Sequence, residues 1–109
     1  MNTPHPFMLL RARPSEESRV RFEPWFRDVH LRDVAKIPGI ARVRSGRLPG
    51  GTHIGIYQFE SAEALQAGLA SPEAAYARGT WEQWAGELEE LLLEMWAAVF
   101  PLPMYESPN

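Results

Sequence analysis

The spacing of apolar positions changes several times along this chain, and each change marks an element. Phe7-Met8-Leu9-Leu10-Arg11-Ala12-Arg13 is a short apolar run closed by Pro14 and predicts a first strand. Ser15 and Ser18 are candidate N-caps for a helix, with Glu16 and Glu17 favourably placed near its positive start. From Phe22 the spacing is helical. At about 100° per residue, Phe22, Trp25, Phe26, Val29 and Asp33 fall on one side, and Arg21, Arg27, Asp28 and Arg32 lie away from its centre. Pro24 lacks an N–H and would clash with the carbonyl of Val20, which predicts a kink there or a main helix beginning near Glu23. Ile37-Pro38-Gly39 ends that helix, because the residue before a proline is pushed out of the α region.

Ile40 to Arg47 predicts a second strand, with Ala41 and Val43 on one face and Arg42 and Arg44 on the other. Leu48-Pro49-Gly50-Gly51 has the composition of a hairpin loop, and Thr52 to Glu60 reads as a third strand rich in β-branched and aromatic residues. Ser61 caps a short helix bearing Ala62, Leu65 and Leu69, and Ser71-Pro72 starts a further turn. Thr80 with Gln83 fits a capping box. Behind it, Trp81, Trp84, Leu88, Leu91, Leu92 and Met95 form the clearest helical stripe in the sequence. A fourth strand is then expected from about Trp96 to Leu102. The order β-α-β-β-α-β is the ferredoxin-like, α+β arrangement: an antiparallel four-stranded sheet with helices on one face.

Composition narrows the function classes. The 109 residues suit one domain, 1–109, with loose termini expected at about 1–5 and 104–109. Hydrophobic residues make up 45% and charged residues 23%, the balance of a globular chain that buries a core. A formal net charge of −3 gives no reason to expect nucleic acid, and no apolar run is long enough to span a bilayer. The N-terminus lacks the basic region of a secretory signal, so a cytoplasmic location is expected. The chain has no cysteine, which excludes disulfides, thiolate metal sites and a Cys nucleophile. The histidines lack metal-ligand spacing, no serine sits in a Gly-x-Ser-x-Gly elbow, and Pro49-Gly50-Gly51 precedes a strand rather than a phosphate-binding helix. No metal and no cofactor is expected.

Trp25-Phe26-Arg27-Asp28-Val29-His30, with Ile37-Pro38-Gly39-Ile40 further on, resembles the aromatic-pair, acid, histidine and later Pro-Gly pattern of EthD-like proteins. Phe59-Glu60-Ser61-Ala62-Glu63-Ala64-Leu65, continuing to Leu69-Ala70-Ser71-Pro72-Glu73, is similar to their third-strand and second-helix signature. The resemblance runs from Phe22 to Glu73 and implies the dimeric α/β-barrel superfamily, in which two ferredoxin-like protomers pair their sheets into one barrel. It implies a homodimer with a small apolar, aromatic or polyketide-like ligand. Relatives in that superfamily include cofactor-free monooxygenases, isomerases and cyclases. One departure stands out: those proteins often carry Gly-Pro after the histidine, where this chain has Leu31-Arg32.

Three residues are candidates for catalysis. His30 lies about 80° from Phe22 on the helix wheel, at the border of the apolar stripe, where an imidazole suits proton transfer. A structural histidine bonded to backbone or to Asp33 is the other reading. His53 and Tyr57 share a strand face with Gly55 and Phe59, and glycine there leaves room for a ligand or a closely approaching side chain. Alternatively His53 is solvated beside the Gly50-Gly51 turn. Trp25, Phe26, Trp84 and Arg42 are candidate ligand contacts, although aromatic stripes at this spacing also build cores and strand arginines are often solvated. Two functions remain open: a small-molecule binder that is also a cofactor-free enzyme using histidine proton transfer, or a non-catalytic accessory or structural barrel protein.

Overall fold

Four strands pair antiparallel, ordered across the sheet as the second, third, first and fourth along the chain, which places the first strand at the centre of the sheet beside the third. The computed structural model describes residues 5–97, so most of both expected loose termini, and the expected strand beyond Ala97, lie outside the described residues. The strands are β1 (Phe7–Pro14), β2 (Ile40–Arg47), β3 (His53–Phe59) and β4 (Leu88–Trp96). Between β1 and β2 runs a helix over 19–35, made of α1 (Arg19–Trp25), a π-helical turn Phe26–His30 and α2 (Leu31–Ala35). Between β3 and β4 come α3 (Ala62–Leu69), α4 (Pro72–Gly79) and a 3-10 turn Thr80–Trp84. This is the ferredoxin-like arrangement expected from the element order.

Alternation decides which face is covered. In β1 and β3 every second residue is buried: Met8, Leu10 and Ala12 on one, His53, Gly55, Tyr57 and Phe59 on the other. These meet Phe22, Phe26, Val34, Ile37, Ala74 and Trp84 from the helical layer to form the core. The opposite face carries Phe7, Leu9, Ile54 and Ile56, half-buried and uncovered by any helix.

Several sequence expectations are corrected. The helical stripe through Leu88, Leu91, Leu92 and Met95 is not helical; Leu88–Trp96 is the fourth strand, paired along the whole length of β1. Leu, Glu and Met are strong helix formers, but local propensity is a weak prior beside a full ladder of interstrand hydrogen bonds. Gly86, at φ 79°, breaks the chain ahead of it in a conformation that favours glycine. Thr80 and Gln83 form no capping box: Thr80 Oγ1 donates back to Ala77 O in α4 at 2.7 Å, and Gln83 Nε2 donates to Thr80 O at 2.7 Å. Neither Ser15 nor Ser18 caps a helix through its side chain; Ser18 Oγ donates to Glu87 at 2.6 Å instead. The first helix begins at Arg19, not near Glu23, and runs through Pro24. Pro24 and Val20 both reach the surface, so water can serve the carbonyl that proline leaves unpaired. The cap at Ser61 forms as read, accepting from Ala64 N at 3.0 Å, and Ser71, where a further turn is expected to start, caps α4 in the same way, accepting from Ala74 N at 3.2 Å.

Candidate functional site

The π-helical turn sets the site. A regular helix rotates four-residue steps steadily off one face, so Phe22, Phe26, His30 and Val34 would spread around the cylinder. The wide turn Phe26–His30 absorbs the drift, and all four are buried, at 0–3% exposure. His30 is thus carried from the border of the stripe, where uniform spacing puts it, into the core. Such turns recur at functional sites.

His30 Nε2 lies 2.6 Å from the Tyr57 hydroxyl, a buried hydrogen bond between the first helix and the third strand. Trp25 stacks on the imidazole at 5.6 Å, Phe26 tilts against it at 5.1 Å and Trp81 meets it edge-on at 4.8 Å. Nδ1 is buried with no hydrogen-bond partner among the described residues. Removal from water in this aromatic cage pushes the His30 pKa down to about 4, so the ring is neutral at pH 7. Burial likewise pushes the Tyr57 hydroxyl above its ordinary value. Gly55 permits this geometry: a Cβ there would stand 2.5 Å from Tyr57 Cζ, because the phenol folds back over it.

A cavity of about 340 Å³ opens onto the pair. Met8, Leu10, Val34, Ile37, Leu69, Ala74, Ala77, Leu91 and Leu93 give it apolar walls; His30, Tyr57, Trp81 and Arg78 supply the polar groups. The remaining sequence candidates lie elsewhere. Trp25 and Phe26 back the imidazole without lining the cavity, and Trp84 is buried beneath them against Phe22. Arg42 is exposed on β2 and does not line the cavity either. His53 is buried at 5% exposure rather than solvated, between Phe22 at 5.2 Å and Phe26 at 5.1 Å. Its pKa is lowered by desolvation, opposed by Glu23, whose Oε2 stands 3.9 Å from Nε2. Neither Asp28 nor Asp33 orients His30: Asp28 pairs with Arg27, and Asp33 Oδ2 is buried without a partner among the described residues. Among the described residues no three His, Cys, Asp or Glu side chains gather as a metal site.

Sequence reading missed Arg78, Leu91 and Leu93 as cavity residues. The strand read over Phe7–Arg13 places Met8 and Leu10 on one face, a signal for the floor; nothing in the sequence pointed to Arg78.

No protein-family model matches this sequence, and no curated protein matches it. Solved structures do. A mutant of SnoaB, a cofactor-independent oxygenase from Streptomyces nogalater, superposes with a TM-score of 0.69 at 16% identity, over 93% of this chain and 99% of that one. An ethyl tert-butyl ether D (EthD) family protein from Bacillus halodurans gives 0.64 at 18% identity, over 82% and 96%. An antibiotic biosynthesis monooxygenase gives 0.64 at 11% identity, over 87% and 99%. The chain has their fold. At these identities the likeness establishes the ferredoxin-like architecture, in agreement with the EthD resemblance of its residues.

Proposed function

We propose that the cavity binds a small, largely apolar molecule, aromatic or polyketide-like, and that His30 and Tyr57 exchange a proton with it, with no cofactor required. The observation that carries this is a neutral, hydrogen-bonded histidine–tyrosine pair facing an otherwise apolar cavity of about 340 Å³. Small-molecule sites have this form: apolar walls, a few placed polar groups and a volume above roughly 300 Å³. Either tautomer of His30 leaves the pair one hydrogen to offer. With Nε2–H donating to the phenol oxygen, the Tyr57 O–H is free for the ligand; with Tyr57 donating, Nδ1 carries the spare N–H. Isomerisation, cyclisation and oxygenation of an activated carbon all need such a proton relay shielded from water. The whole chain, 1–109, is read as one such domain, acting as a cytoplasmic homodimer whose protomers meet through the uncovered sheet face bearing Leu9 and Ile56. That an oxygenase such as SnoaB shares the fold supports the reading.

The same hydrogen bond favours a second reading, a non-catalytic accessory protein, because it also satisfies two buried polar groups. His30→Gln separates them. With proton transfer, the folded variant turns over substrate about 10²-fold more slowly or worse, at a nearly unchanged melting temperature. With a purely structural role, stability drops by about 1–3 kcal/mol and activity per folded molecule persists. Substrate is found by native mass spectrometry after exposure to cell extract; a ligand retained by the wild type and lost in Leu93→Trp, which narrows the cavity, locates binding there.

A further inference from the structure

The cavity is lined by polar groups of two kinds. One is the pair His30 and Tyr57, buried to 3% and 2% exposure and uncharged at neutral pH. The other is Arg78 in the last turn of α4, which is exposed and is the one cation among the described lining residues. Its Nη1 donates to the Leu69 carbonyl at 3.2 Å, one of the acceptors left open at the end of α3. That bond ties the guanidinium across the gap between α3 and α4. Five arginines, at positions 11, 13, 21, 27 and 47, pair with carboxylates. Arg78 holds a neutral carbonyl instead, and its Nε–Nη2 edge has no hydrogen bond or ion pair among the described residues. This edge is the side-on fork that binds a carboxylate through two parallel hydrogen bonds.

We infer that Arg78 recognises a carboxylate on the ligand, so that the cavity takes an apolar acid, its ring or chain against Leu10, Leu69 and Leu93 and its carboxylate at the mouth. The inference rests on reading the cavity as a small-molecule site. A fixed cation beside apolar walls discriminates by charge, whereas the walls alone select only by size and shape. The acid is thereby held by its charge, with its apolar body in the cavity that the His30–Tyr57 pair also lines.

The test uses 2-naphthoate and its neutral analogue 2-naphthamide as probes of the full chain, with affinities from ligand-observed NMR. The expected result is about 10-fold tighter binding of the naphthoate, a preference weakened by added salt. Arg78→Met, which keeps the aliphatic contact, removes the preference and leaves naphthamide binding unchanged; Arg78→Lys retains part of it. Equal affinities for the two probes, both lost in Leu93→Trp, overturn the role of Arg78 while the cavity reading stands. A preference that survives Arg78→Met overturns it too. If neither probe binds the wild type, both readings fall.

Discussion

At the level of single residues the site depends on two side chains and one missing side chain. The histidine is legible in the sequence as a candidate because it borders an apolar stripe; its bond to Tyr57 is not, since the two lie 27 residues apart. Desolvation of His30 has a consequence for stability. Its folded pKa of about 4 lies below the ordinary 6.5, so the unfolded chain binds the extra proton between these values. Stability from this group is therefore complete above pH 6.5 and is lost as pH falls through 4, by about 3 kcal/mol in all. His53, also lowered, acts in the same direction. Chemical denaturation monitored from pH 7 to pH 4 should show this decline, and His30→Gln should flatten it. Gly55→Ala gives a separate check. A methyl group there overlaps the Tyr57 ring, so the phenol must move off its bond to His30, at an expected cost of about 1–3 kcal/mol by urea titration. An unchanged midpoint would show that the ring has another resting place.

Among the elements, local preference and long-range pairing come into conflict. Strands β1 and β3, the hairpin loop, the cap at Ser61 and the start at Ser71-Pro72 depend on neighbouring residues alone, and all form as read. The stripe across Leu88–Trp96 does not, because its leucines satisfy helical and strand spacing about equally well and only β1 decides between them. Hydrogen exchange distinguishes the outcomes directly. As an edge strand, β4 should protect alternate amides, those that donate to β1, and leave their neighbours fast; a helix would protect consecutive ones. The π-helical turn is a subtler case. Pro24 marks the helix as irregular, but where the extra residue enters is set by packing of Phe26 and His30 on the sheet.

Taken as one body, the molecule has a sheet with helices on one face and an open face on which apolar residues mix with Arg11, Arg44, Gln58 and Glu94. Leu9 and Ile56 are cross-strand partners there, flanked by Phe7, Ile54 and Leu92. A sheet that size gains by burying its second face, and a second copy offers the matching surface. The expected outcome is a dimer in size-exclusion chromatography with light scattering at micromolar concentration, converted to monomer by Ile56→Asp with the circular dichroism spectrum retained. A wild-type monomer would sink the barrel assembly.

Residue order alone dictates the alternation of elements, the turns, which side chains of β3 share a face and, through these, the ferredoxin-like order. These depend on spacing and on side chains within a few residues of one another. Folding in three dimensions settles what distant segments do to each other. It makes a strand of Leu88–Trp96, rolls His30 inward onto Tyr57, buries His53 and brings Arg78 to the cavity mouth. Periodicity cannot specify these, because each is fixed by contact with residues far along the chain, whose positions exist only once the sheet has formed.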